Sequence, residues 1–317
     1  VRDYQKCLRR IQRLMKHFIN IKDISARDIR FIIENSKKRK KKKSNHRKET
    51  FFKNKLMIIL MEKPSLRTRM SLLSAAFAGG GRAITLRSDE IHLGSKNESI
   101  KDTAKILSRS GDLFVFRTTD HDKVLEFKKY LSIPLICGLS NKAHALQVIS
   151  DVQYIEDTLG KNISKIAVSW VGDGNNNVIN SLIEISAKLN FKLNIGCPKK
   201  YSPKESLNWA RKNGGNINIF QSAQEAVENA DVVITDKWIS LHEVNKAQKL
   251  KELKKFQVNS KLMSFAKPKS AIFLHCLPAS IGKEVTKEVL YGSQSKVYSQ
   301  AENRISSVKS VIEYCLK

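Results

Sequence analysis

Short apolar runs alternate with amphipathic segments along almost the whole chain, and this alternation is the strongest constraint on its fold. The runs "LMIILM" (56–61) and "DLFVFR" (112–117) are each followed by a segment with the apolar spacing of a helix. Apolar runs joined by helical crossovers are typical of parallel strands that are buried on both faces. The pattern therefore predicts an α/β protein built from doubly wound parallel sheets.

The alternation restarts after "DVQYIEDTLG" (151–160), which indicates a second unit of the same class, and 317 residues suffice for two domains. We predict one domain over 1–149, completed by a C-terminal helix over 303–317, and a second domain over 150–302. The predicted strands cover 55–61, 83–86, 112–117, 133–140, 165–172, 191–198, 216–220, 231–236 and 271–278. The predicted helices cover 26–35, 68–78, 98–110, 122–131, 177–190, 202–215, 222–230 and 301–317.

The chain is strongly basic, with a formal net charge of +28 and a pI of about 9.9. Its densest basic run, "KKRKKKK" (37–43), could bind nucleic acid, but it lacks the interleaved aromatic residues that stack on bases. We interpret the run as a mobile linker whose charges repel one another, and we expect no nucleic-acid partner. The basic N-terminal segment (1–18) could be the remainder of a targeting segment, although a plain first helix is favoured.

The five cysteines are scattered, and no two of them form a CxxC pair. This distribution favours reduced thiols in an intracellular compartment and argues against a disulfide framework or a metal site. No apolar run reaches the roughly 18 residues that a membrane span needs. We therefore expect no membrane partner. The segment "GDGNNN" (172–177) lacks the third glycine of a dinucleotide fingerprint, and we expect no cofactor.

Polar residues follow the carboxyl ends of several predicted strands in both halves of the chain. These residues are "PSLRTR" (64–69), Arg117, His144 with Gln147, "GDGNNN" (172–177), Asp236, and His275 with Cys276. In open α/β sheets, ligands bind outside the carboxyl ends of the strands. We therefore predict a site in the cleft between the two domains.

The segment "PSLRTR" combines a helix start with two hydroxyls and two guanidiniums. Free backbone N–H groups, the helix dipole and the forked guanidiniums of Arg67 and Arg69 suit a phosphate, although a capped helix with surface ion pairs would look the same. Asp236 could recognise an amine or simply end a strand in a turn. Cys276 could be a nucleophile or a packed thiol, and His275 is expected on the opposite face of an extended strand, which argues against a Cys–His pair.

Together these segments resemble the aspartate and ornithine carbamoyltransferase family, and its ornithine-specific branch most closely. The resemblance rests on "EKPSLRTR", "IHLG", "NESIKDTAKILSR", "FR" ending at Arg117, "HALQ", "WVGDGNNNVINS", "VITDKWIS", "FLHCLP" and "AENR", which follow the family's order over almost the whole chain. It implies transfer of the carbamoyl group of carbamoyl phosphate to the δ-amine of ornithine, giving citrulline and phosphate without a metal or cofactor.

The resemblance also implies a role for individual residues. Carbamoyl phosphate would be bound by Ser65, Leu66, Arg67, Thr68, His92, Arg117, His144, Gln147, Cys276, Leu277 and Arg304. Of these, Arg117, His144, Cys276 and Arg304 would be catalytic. Ornithine would be held by Asn177 (or, in another alignment, Asn176), Asp236, Ser240 and Leu241.

Further implications concern assembly, pathway and compartment. The resemblance implies a homotrimer in which His92 reaches a neighbouring subunit. It implies arginine biosynthesis or the urea cycle, with the mitochondrial matrix favoured and the cytoplasm as the alternative.

Several positions depart from the family pattern. Leu66 stands where Thr is usual, Leu73 replaces an acidic residue, Ala145 replaces a proline, and His242 replaces a glycine of the ornithine-closing loop. These departures leave two alternatives open. The chain could be an impaired or repurposed homologue with a binding or regulatory role, or a carbamoyltransferase with another amine acceptor.

Overall fold

The computed structural model describes residues 15–41, 49–91, 93, 98–239, 245–268 and 270–317. It divides into two compact units. The first comprises Val1–Gln153 with Asn303–Lys317, and the second comprises Tyr154–Glu302. Each unit contains one sheet whose strands are all parallel, which confirms the predicted α/β class.

The first unit has a four-stranded sheet of order β2-β1-β3-β4. Its strands are β1 (Leu56–Met61), β2 (Arg82–Arg87), β3 (Leu113–Arg117) and β4 (Leu135–Leu139). Its helices are α1 (Ala26–Lys41), α2 (Leu66–Ala78), α3 (Ile100–Ser110), α4 (His121–Tyr130) and, up to Gln153, α5 (Ala145–Leu159). The last helix, α12 (Val297–Leu316), also contributes its residues from Asn303 onward.

The centre of this sheet is β1 and β3, which read as continuous apolar runs because both faces are covered. Phe114 and Phe116 on β3 pack against Phe127 of α4, with ring centroids 5.1 and 5.0 Å away. Beside β4, Phe18 pairs with Ile136 in a parallel bridge. The predicted first helix over 1–18 lies largely outside the described residues, and residues 15–18 are not helical.

The second unit has a five-stranded sheet of order β7-β6-β5-β8-β9. Its strands are β5 (Val168–Val171), β6 (Leu193–Gly196), β7 (Ile217–Phe220), β8 (Val232–Thr235) and β9 (Ile272–His275). Its helices are α6 (Asn177–Leu189), α7 (Lys204–Lys212), α8 (Ala223–Val227), α9 (Lys246–Leu253), α10 (Ser260–Met263) and α11 (Lys287–Leu290). Because the reversal of strand order places β5 and β8 at the middle, the loops after these two strands start side by side.

The basic run differs from its predicted structure. Helix α1 continues to Lys41, so the linker predicted over 37–43 is wrong for residues 37–41, while Lys42 and Lys43 lie outside the described residues. Arg39 explains the difference, because its guanidinium bonds to Glu49 at 2.7 Å and to Glu313 at 2.8 Å. The neighbouring lysines occupy the last helical turn, where cations interact favourably with the helix dipole.

Other helices also differ from the prediction: no helix is predicted for α5, α9, α10 or α11, and α12 is longer than predicted. Segment 151–160, the predicted point of restart, lies mostly in α5. The last helix begins at Val297 and so is longer than predicted. Among the described helices, none is both long enough and apolar enough to cross a lipid bilayer.

Candidate active site

Helix α2 begins directly after the loop that leaves β1, and Ser65 caps it. The Ser65 backbone is extended, and its Oγ accepts a hydrogen bond from the Thr68 N–H at 3.3 Å. Leu66, the first residue of the helix, is 73% exposed, so its side chain does not cover the helix start. The first turn therefore presents backbone N–H groups and the positive end of the helix dipole, as an anion site requires.

The hydroxyl of Thr68 is the meeting point of three elements of the first unit. Its Oγ1 lies 3.2 Å from Ser65 Oγ, 3.3 Å from Arg117 Nη1 at the end of β3, and 3.5 Å from Arg304 Nη2 on α12. Thr68 itself is only 1% exposed. Two guanidiniums from distant parts of the sequence are thus held beside the N-terminus of α2.

Arg304 also orients an amide. Its Nη1 donates to Gln147 Oε1 at 3.2 Å, and Gln147 Nε2 donates to Asp151 Oδ1 at 2.8 Å, one turn further along α5. All three side chains are buried. Because a carboxylate can only accept, Asp151 fixes the amide nitrogen of Gln147 on its own side and leaves the amide oxygen toward Arg304.

His144 precedes α5 and is buried in the same region of the first unit. Burial lowers the pKa of His144 well below its usual 6.5, and the positive charges of Arg304, Arg117 and Arg67 lower it further. The ring is therefore neutral at neutral pH. The structure thus brings together the predicted residues Arg67, Arg117, His144 and Arg304, with Thr68 and Gln147 beside them.

In the second unit, the predicted residues Asp236 and Cys276 lie next to each other. Asp236 follows β8 and Cys276 follows β9, and these two strands are neighbours in the sheet. The Cys276 Sγ–H donates to Asp236 Oδ1 at 3.1 Å. A thiol and a carboxylate, both half-buried, therefore face the same space.

The expectation that His275 points away from Cys276 is wrong, because β9 ends at His275 and Cys276 is no longer in an extended strand. A ring nitrogen of His275, the Cys276 Sγ and a carboxylate oxygen of Asp236 lie within 4.8 Å of one another. Among the described residues, these three groups are close enough together to bind one metal ion. However, His275 Nδ1 already accepts the Leu277 N–H at 2.8 Å, so a metal ion at Nδ1 would have to break that bond.

The "GDGNNN" segment forms a tightly held turn before α6. Asn176 is the N-cap of α6, and its Oδ1 accepts from the N–H groups of Val178 and Ile179. Asn177 is the first residue of the helix and is half-buried. Because the Asn176 oxygen is occupied by the cap, Asn177 fits the predicted ligand-binding position better than Asn176 does.

Two further contacts fix this turn. Asp173 pairs with the buried Lys249 of α9 at 2.8 Å. Gly172 has a φ of +124°, and a Cβ there would lie 2.7 Å from Nε1 of Trp238. Only glycine therefore fits this position without displacing the indole.

Other predicted residues cannot be placed in this way. His92, Ser240 and Leu241, together with His242, lie outside the described residues. Their proposed roles remain predictions.

Sequence reasoning missed Glu62, although it is the first residue of "EKPSLRTR". Its backbone N–H donates to Arg117 O at 2.9 Å, and its carboxylate accepts from the Thr118 hydroxyl and, at 2.8 Å, from Lys123 Nζ. The loop before α2 is thereby tied to the end of β3.

These features are those of an α/β enzyme with an electropositive anion site in one unit and a carboxylate–thiol pair in the other. The chain belongs to the aspartate/ornithine carbamoyltransferase family. The family model of the carbamoyl-P binding domain matches residues 16–157, and that of the Asp/Orn binding domain matches residues 164–315. The resemblance inferred from the motifs is confirmed, and the chain is a carbamoyltransferase.

Individual relatives agree over nearly the full length. Ornithine carbamoyltransferase of Mesorhizobium japonicum is 38% identical over 303 residues, which cover 95% of this chain and 99% of the relative. The enzyme of that name from Brucella suis is 39% identical, covering 96% of each chain.

Solved structures give the same result. Ornithine carbamoyltransferase from Pyrococcus furiosus has a TM-score of 0.87 at 35% identity and covers 93% of this chain and 95% of its own. The anabolic enzyme from Campylobacter jejuni has a TM-score of 0.88 at 33% identity, covering 95% and 99%. The bacterial origin of the curated relatives gives no support to the mitochondrial matrix as the compartment.

Proposed function

We propose that the chain transfers the carbamoyl group of carbamoyl phosphate to the δ-amine of L-ornithine, giving L-citrulline and phosphate. The observation that carries the proposal is the convergence of Arg117 and Arg304 on Thr68 at the N-terminus of α2, with neutral His144 among the same guanidiniums. The similarity to ornithine carbamoyltransferases supports ornithine as the acceptor. The activity would serve arginine biosynthesis inside the cell.

The first unit would bind the leaving group. The first turn of α2 (Ser65, Leu66, Arg67 and Thr68) would hold the phosphate through backbone N–H groups, hydroxyls and the Arg67 guanidinium. Negative charge grows on the phosphate oxygen as its bond to the carbonyl carbon breaks. Fixed guanidiniums stabilise that charge without reorganising, so they act more strongly on the transition state than on bound substrate.

His144 would act on the carbonyl as a neutral hydrogen-bond donor. Its lowered pKa keeps the ring neutral, so a single ring N–H polarises the carbonyl oxygen. An imidazolium, in contrast, could protonate the attacking amine. Gln147 would hold the carbamoyl nitrogen, and Cys276 with Leu277 would complete the carbamoyl site. In the reaction a nitrogen–carbon bond forms, the carbon–oxygen bond to phosphate breaks, and the amine proton leaves with phosphate or solvent.

The second unit would bind the acceptor. Asp236 would supply a carboxylate for the cationic α-amino group of ornithine, away from the reacting δ-amine. Asn177, Ser240 and Leu241 would complete the site. A carboxylate at this position disfavours aspartate, which carries a second negative charge, by like-charge repulsion. The charge of Asp236 therefore favours ornithine over aspartate within the family.

We also propose that the chain works as a homotrimer in which His92 serves a neighbouring subunit. On the first unit, α2 and β2 expose apolar side chains, with Met70 50%, Phe77 64% and Ile84 43% exposed. Leu73, which stands where an acidic residue is usual, lines the same groove as Phe77 and Ile84. An exposed apolar face of this kind suits an interface with another copy of the chain.

An assay of carbamoyl transfer tests the proposal. Purified protein with carbamoyl phosphate and ornithine should form citrulline, whereas aspartate and putrescine should give far less product. Replacement of Arg117 by Gln should lower kcat/KM by about 100-fold or more, because it removes a preorganised charge. No citrulline at millimolar substrate from folded protein would favour a binding or regulatory role, and faster reaction with another amine would favour a different acceptor.

A further inference from the structure

The loop Cys276–Ser280 turns sharply after β9 and carries two of the proposed site residues. Leu277 has a φ of +57°, a conformation that residues with bulky side chains seldom adopt. Such a residue persists only when its surroundings determine its conformation. The contacts that hold Leu277 therefore decide where the main chain of this loop and the neighbouring Cys276 thiol lie.

His275 holds the beginning of this loop. The residue is 0% exposed, its backbone N–H donates to Gln300 Oε1 at 3.1 Å, and its Nδ1 accepts the Leu277 N–H at 2.8 Å. Because a backbone N–H can only donate, Nδ1 carries no proton, and in the neutral ring the proton is on Nε2. Nε2 faces Glu284, with 3.5 Å between Nε2 and Oε1.

Glu284 holds the end of the same loop. Its Oε1 accepts the Ser280 N–H, and its own backbone oxygen accepts the Val258 N–H at 2.9 Å. The side chain of Glu284 is only 1% exposed. A buried carboxylate is costly unless it is hydrogen-bonded, and here the Ser280 N–H of the loop supplies the hydrogen bond.

We propose that His275 and Glu284 form a positioning pair that fixes the Cys276–Ser280 loop for carbamoyl transfer. His275 fixes the Leu277 peptide and Glu284 fixes the Ser280 peptide, so each end of the loop has its own anchor, and the two side chains lie beside each other. The pair thereby sets the position of the Cys276 thiol beside Asp236. This role rests on the proposed function, and neither side chain is assigned a contact with substrate.

Matched substitutions test whether each side chain acts through its hydrogen-bond acceptor. His275→Asn keeps an acceptor where Nδ1 lies, whereas His275→Ala removes it. Glu284→Gln keeps an acceptor for the Ser280 N–H, whereas Glu284→Ala does not. We expect each alanine variant to lose about 30-fold or more in kcat/KM for citrulline formation, and each amide variant to stay within about fivefold of wild type. Equal losses in the amide and alanine variants, or no loss in either, would overturn the proposal.

The reactivity of Cys276 gives a readout that does not depend on activity. The native proteins are treated with iodoacetamide, the modified thiol is located by peptide mass, and Cys276→Ser serves as the control. Cys137, Cys197 and Cys315 are buried and should react slowly. We expect both alanine variants to change the Cys276 alkylation rate at least threefold at a temperature well below the melting temperature of every variant, with the amide variants near wild type.

The two readouts also keep the two proposals apart. Unchanged Cys276 alkylation in all four variants would refute the positioning pair, whatever the activities are. If wild type forms no citrulline, the proposed function fails, and the alkylation rates still decide whether the pair positions the loop.

Discussion

Replacing Thr68 by valine removes the one hydroxyl on which Arg117, Arg304 and Ser65 converge. Valine has the same shape as threonine, so the buried space stays filled and the Thr68 backbone N–H can still bond to Ser65. The chemical change is the replacement of the hydroxyl by a methyl group. Two guanidinium N–H groups then lose an acceptor beside the first turn of α2.

The size of the effect follows from the two guanidinium contacts. Hydrogen bonds to charged groups contribute about 1.5–3 kcal/mol when their geometry is good. The bonds from Arg117 and Arg304 are long, at 3.3 and 3.5 Å, and Arg304 keeps its bond to Gln147, so each should contribute near or below the lower limit. A total of about 2–3 kcal/mol in the transition state corresponds to a loss of roughly 30- to 150-fold in kcat/KM.

The measurement is steady-state citrulline formation with carbamoyl phosphate varied at saturating ornithine. Thr68→Ser, which restores the hydroxyl and removes only the methyl group, should recover most of the activity. Melting temperatures of both variants show whether the fold is intact. A valine variant within threefold of wild type, or a serine variant as poor as valine, would refute the view that this hydroxyl holds the guanidiniums in place.

Two further predictions concern stability. Arg39→Ala should lower the free energy of unfolding by about 1–2 kcal/mol, because Glu49 and Glu313 each lose one of two cations and keep only Lys309 and Lys317. The exposed neighbour Lys38 is the control, and Lys38→Ala should change the free energy of unfolding by less than about 0.5 kcal/mol in the same urea titration. Equal effects of the two substitutions would contradict the ion-pair network. Burial, with a smaller effect of Lys128, lowers the pKa of His17 from 6.5 to about 4, so protonation favours the unfolded chain. The free energy of unfolding should therefore keep its full value above pH 6.5 and fall by about 3 kcal/mol as the pH approaches 4. His17→Asn, which can still accept the Leu135 N–H, should reduce this pH dependence. An unchanged pH dependence in the variant would assign it to other groups.

The strands could be predicted from the sequence because a parallel strand that is covered on both faces leaves a direct signal. β1 was predicted at 55–61 and is found at Leu56–Met61, and β3 was predicted at 112–117 and is found at Leu113–Arg117. The alternation of such runs with amphipathic helices depends only on residues near in sequence. Fold class could therefore be inferred without any knowledge of tertiary contacts.

The basic run shows why other features could not be predicted. Charge repulsion within 37–43 is a correct local argument, but the partners of Arg39 are 10 and 274 residues away. The same limit applies to Glu284, which lies in a segment without a periodic pattern. Asp151 is the exception, because it stands four residues after Gln147, and assigning helix α5 would have placed the two side chains on one face.

The guanidiniums near His144 connect substrate binding with the state of that ring. Arg304, Arg117 and Arg67 disfavour the imidazolium, which keeps His144 an N–H donor that does not titrate near neutral pH. A phosphate dianion bound at the same guanidiniums would offset part of their effect, so substrate binding and protonation of His144 are coupled, and the coupling is reciprocal. Burial is the largest cause of the lowered pKa and does not depend on the substrate. The ring can therefore remain neutral with phosphate bound, and this is the state in which it can polarise the carbonyl oxygen while the phosphate departs.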